Sequence, residues 1–120
     1  GEPVQMVERV EVVPGGIELS FSFDVDPASV QQPGAFAAEM WNYLWSKRYG
    51  SDQFSVRNPD ERGHDELTIE AVEIVSPRRL RLVIPDLAVC DQLQLSMLFS
   101  TSSGQTFTEM AYLTIHAIPE

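Results

Sequence analysis

An all-β fold, a two-sheet antiparallel sandwich of about seven strands with one long loop, is what this 120-residue chain predicts. Two observations carry the prediction. Apolar and polar residues alternate at period two through most of the chain, and Pro, Gly, Asn and Ser turn signals separate the alternating runs at short spacing. A closed barrel is the alternative for the same pattern. A composition of 43% hydrophobic and 22% charged residues provides one core, so residues 1–120 are expected to form a single domain.

Val10, Val12 and Val13 form a β-branched run that Pro14-Gly15-Gly16 ends, a hairpin or sheet-crossing turn. Ile17, Leu19, Phe21 and Phe23 then alternate with Glu18, Ser20 and Ser22, giving the clearest strand of the chain. Asp26 before Pro27 predicts a capped helical turn through Val30. After the break at Gln31-Gln32-Pro33-Gly34, residues 35–45 read as a long strand in preference to a helix. No periodicity survives over residues 46–66, which read as one long polar loop, with 60–66 the best candidate for disorder. A hairpin follows, with strands at 67–75 and 79–84 joined by Ser76-Pro77-Arg78. Leu93, Leu95 and Met97 mark another strand, and Ser102-Ser103-Gly104 turns into a last one over 107–118.

The formal net charge of -10 opposes association with nucleic acid or an anionic membrane surface, because encounter would begin against like-charge repulsion. Basic residues sit mainly at Lys47-Arg48 and at Arg78-Arg79 with Arg81. No run approaches the ~20 apolar residues of a membrane-spanning helix, so membrane insertion is not expected. Cys90 is the single cysteine; it excludes an internal disulfide framework and reads as a small buried hydrophobe. The chain opens on Gly1, as expected of a processed terminus or a piece of a larger parent.

The candidate recognition residues are Trp41, Tyr43, Trp45 and Tyr49, which gather both tryptophans and two of the three tyrosines. On a strand Trp41, Tyr43 and Trp45 share one face while Met40, Asn42 and Leu44 share the other, so both faces cannot be ordinary solvent-facing surface. Core or interdomain packing is the favoured use of the rings. A polysaccharide platform is the sharper one, since alternate residues stand about 7 Å apart along a strand. Asn42 is placed to bridge strands or satisfy a loop backbone group. His64-Asp65-Glu66 reads as a solvated turn in preference to a metal site, and Asp24-x-Asp26 as a cap in preference to a calcium site. Ser100-Thr101-Ser102-Ser103 lacks a Gly-x-Ser-x-Gly setting and reads as a turn. No catalytic residue, metal or cofactor is expected.

The succession Pro14-Gly15-Gly16-Ile17-Glu18-Leu19-Ser20-Phe21, Asp26-Pro27-Ala28-Ser29, Trp41-Asn42-Tyr43-x-Trp45, Tyr49-Gly50-Ser51, Leu82-x-Ile84-Pro85-Asp86-Leu87 and Thr114-Ile115-His116 resembles an Ig-like domain. Such domains stand at the C-terminal end of large secreted bacterial proteins that also carry c-type haem-binding and sorbosone-dehydrogenase-like propeller domains. The likeness spans residues 10–119 and departs from the pattern in lacking a tyrosine over 95–99. It implies a noncatalytic, secreted or periplasmic accessory domain whose partners are the other domains of its parent, with redox chemistry residing there. Consistently, the chain has no Cys-x-x-Cys-His haem-attachment run. A carbohydrate-binding module is the alternative.

Overall fold

Ile17, Leu19 and Phe21 turn one side of β2 (Gly16–Phe21) inward, and Glu18 and Ser20 turn the other toward solvent, as their alternation requires. The computed structural model describes residues 5–46, 50–58 and 61–119, with backbone alone at 44–46 and 50–52. Two antiparallel sheets form the Ig-like all-β sandwich expected of the sequence. One contains β1 (Val7–Val13), β2, β7 (Arg79–Val83) and β6 (Ala71–Ser76), in that spatial order. The other runs β4 (Gly50–Phe54), β3 (Phe36–Ser46), β8 (Cys90–Ser100), β9 (Thr106–Ile115), with β5 (Asp65–Leu67) also paired to β3. The turn between β1 and β2 is two residues long, with Pro14 leading and Gly15 at φ +77°, a conformation only glycine adopts without strain.

The core lies between the sheets. Ile17, Leu19, Leu80, Leu82 and Ile84 meet Met40, Leu93, Leu95 and Met97 there, all at or below 1% exposure. One end is closed by aromatic rings: Phe21 meets Phe99 edge-on at 5.4 Å, and Phe23 lies 4.8 Å from Phe107. Cys90 is buried beside this core, as its apolar neighbours predicted, and burial pushes its thiol pKa up. The short helix α1 (Pro27–Val30) has Asp26 at its N-cap, accepting from the Ala28 amide at 3.3 Å, and buries Val30.

Three expectations need correction. Residues 46–66 are not one loop, because β4 pairs with Asn42–Ser46 and β5 with Ala38–Met40. Backbone pairing leaves no hydrophobic signature in a strand as short and polar as Gly50–Phe54, which is why alternation missed it. The strand expected over 67–75 is two strands, one ending at Leu67 and the other starting at Ala71, each joining a different sheet. Nor are residues 61–66 loose: His64 and Asp65 are held by the contacts described below. Lys47, Arg48, Tyr49, Pro59 and Asp60 lie outside the described residues.

Candidate functional site

Phe36, Ala38 and Met40 point from β3 into the core, so Glu39, Trp41 and Tyr43 point outward. Trp41 is nevertheless only 4% exposed. The His64 ring covers it, stacked at 3.8 Å between centroids with 10° between planes. The imidazole is fixed at both nitrogens. Its Nδ1 lies 2.9 Å from the Glu39 carboxylate, and its Nε2 meets the side-chain oxygen of Gln53 on β4. Glu39, Trp41, Gln53 and His64 thus tie β3, β4 and the residues before β5 together. The indole Nε1 of Trp41 is buried with no hydrogen-bond partner among the described residues.

Next to this stack, Asp65 closes the chain between β4 and β5. Its carboxylate accepts from the Ser55 hydroxyl at 2.6 Å, the Val56 amide at 2.7 Å and the Arg57 amide at 2.9 Å. Burial pulls the carboxyl pKa upward, but the Ser55 hydroxyl, the Arg57 and Val56 amides and the Arg57 charge outweigh it and hold it below its ordinary value. The reading of His64-Asp65-Glu66 as a solvated turn is therefore corrected. Strand alternation sends Asp65 inward while Glu66 stays exposed, and His64 lies over Trp41.

Of the candidate recognition residues, Trp41 is covered, and Tyr43 is half-buried with its amide donating to the Asp91 carboxylate at 2.9 Å. A platform needing three bare rings is thus not what β3 presents. Trp45 belongs to β3 by its backbone, opposite Ser51, but its side chain lies outside the described residues, as does Tyr49. Asn42 bridges strands, its side-chain oxygen accepting from the Asp91 amide of β8 at 2.8 Å; with the Tyr43 bond this forms a reciprocal clamp between β3 and the start of β8. Asp26 caps α1, as its place before Pro27 predicted, and Asp24 pairs with Arg78 at 2.9 Å. Ser100 and Thr101 serve the turn before β9, where the Ser100 amide donates to Ser29 and the Thr101 hydroxyl meets Ser103.

Among the described residues no three His, Cys, Asp or Glu side chains converge as metal ligands, and no helix is long and apolar enough to cross a membrane. Glu39 and Gln53 went unnoticed in the sequence. Neither carries a motif, and only the pairing of β3 with β4 and β5 brings them to His64.

No protein-family model matches the chain, and no curated protein matches it. Among solved structures it is similar to CopC from Methylosinus trichosporium OB3b, with a TM-score of 0.47 and 15% identity over 98% of this chain and 96% of that one. Similarity of that degree assigns neither family nor function.

Proposed function

We propose that this chain is a noncatalytic interaction or spacer domain of a larger exported bacterial protein, with redox-related chemistry housed in the parent's other domains. The observation that carries this reading is the use made of Trp41. The ring at the centre of the most distinctive motif is stacked under His64 and only 4% exposed, so it braces a corner of the sandwich. The titratable groups around it are likewise engaged in holding strands together, His64 by Glu39 and Gln53 and Asp65 by Ser55, Val56 and Arg57. The family resemblance supplies the export and the redox-related parent. The test is an assay of the isolated chain with aldoses, polyols and an artificial electron acceptor. No turnover above the uncatalysed rate is expected; turnover that scales with the concentration of this chain would overturn the reading.

A further inference from the structure

The outer faces of the two sheets differ in kind. On the four-stranded sheet the outward charges of β1, β2 and β7 are ion-paired, Arg9 with Glu11 at 3.2 Å, and Arg79 and Arg81 with Glu18 at 3.2 and 3.6 Å, while Ile74 and Val75 on the edge strand β6 are 40% and 52% exposed. The centre of that face is ordinary solvent-facing surface. The five-stranded sheet has no Lys or Arg among the outward residues described on β3, β5, β8 and β9. It leaves Leu98, Met110 and Tyr112 at 55%, 44% and 57% exposure. These three form one strip. Met110 and Tyr112 are alternate residues of β9, with the Tyr112 hydroxyl on the Met110 sulfur at 3.0 Å, and Leu98 lies diagonal to Met110 on β8. A shallow groove of about 470 Å³ runs along the strip between Gly34, Ser96, Leu98, Thr108 and Met110.

Carboxylates border the strip. Glu39, Gln94 and Tyr112 occupy one row across three strands, and Glu66 continues the row directly opposite Glu39. Glu109 lines up with Phe107 and Ala111 toward the other side of β9, but its carboxylate reaches round the edge to the Met110 amide at 3.3 Å. That contact occupies one donor that a strand added to the edge of β9 would need. A second copy is opposed by the charge of -10 on each chain and by bringing like borders together. We propose that this face docks a protein surface with an apolar centre and a rim of Lys and Arg, its apolar part covering Leu98, Met110 and Tyr112 and its cations meeting Glu39, Glu66 and Glu109. The proposal rests on the reading of the chain as an interaction domain.

The test follows backbone amide shifts of the isotope-labelled chain on titration with a synthetic amphipathic peptide whose leucine stripe is flanked by lysines, with a glutamate-flanked version as control. The lysine peptide is expected to move amides at 94–98 and 108–112, less so at higher salt, and the glutamate peptide to leave them in place. The M110S/Y112S double variant, confirmed folded by its amide spectrum, is expected to bind about tenfold more weakly, and Glu66→Gln to flatten the salt dependence. Shifts centred on the ion-paired face, or binding indifferent to M110S/Y112S, would overturn the proposal. So would cello-oligosaccharides moving the same amides where the peptide does not, or a concentration-dependent dimer through this face. Failure here leaves the noncatalytic reading standing, whereas turnover by the isolated chain sinks that reading without moving these amides.

Discussion

Asp65 sits among three donors, and its depressed pKa makes it a stability element with a definite sign. Because the unfolded chain takes up the proton more readily, the contribution is full above the ordinary Asp pKa of about 3.9 and is lost as pH falls below that through the native value. Asp65→Ala is expected to cost about 2 to 3 kcal/mol at neutral pH, since it strands the Ser55 hydroxyl and two amides. In urea titrations the gap between wild type and variant should narrow on acidification; a gap unchanged down to pH 2 would contradict the role. The sequence showed His, Asp and Glu side by side but not that they part company. Alternation along β5 and the approach of Ser55 separate them, and both depend on the partner strands. Trp41 is the same kind of case. Its alternation with Met40 told that both faces of this strand cannot be plain surface, but the cover on the outer face comes from His64, a residue 23 positions away.

At the scale of elements, the strands with long alternating runs were legible and the short polar ones beside β3 were not. Leu80, Leu82 and Ile84, like Leu93, Leu95 and Met97, announce a buried face because half their positions must leave water. β4 and β5 owe their place to backbone pairing with β3, which any sequence can make, and to the contacts of Gln53, His64 and Asp65 with residues far off in the chain. Gly16 marks where backbone packing constrains the sequence instead. A Cβ there would fall 1.8 Å from the Leu82 carbonyl oxygen, within the β2–β7 pairing of Gly16 with Val83. Gly16→Ala is accordingly expected to destabilise by about 3 kcal/mol, with β2 and β7 amides losing hydrogen-exchange protection first. Equal loss across all strands would point to a different cause.

On the scale of the whole molecule, one core joins both sheets, so they are expected to unfold together. Leu95→Ala removes a fully buried side chain from the centre and should cost about 2 to 5 kcal/mol. Indole fluorescence, reporting on the five-stranded sheet, and far-ultraviolet circular dichroism, reporting on both, should give coincident urea transitions. Transitions that separate would mean that the sheets are not one cooperative unit. The sequence by itself determined the all-β class, the inward sets Ile17-Leu19-Phe21, Leu80-Leu82-Ile84 and Leu93-Leu95-Met97, the Asp26 cap and the buried state of Cys90, because those follow from local periodicity and turn chemistry. Only the tertiary structure decided the number of strands around β3, the cover over Trp41, the partners of Asp65 and the contrast between an ion-paired face and an acid-bordered apolar one. Each of those joins residues far apart in the chain, and their meeting is set by strand order and register, which no local pattern encodes.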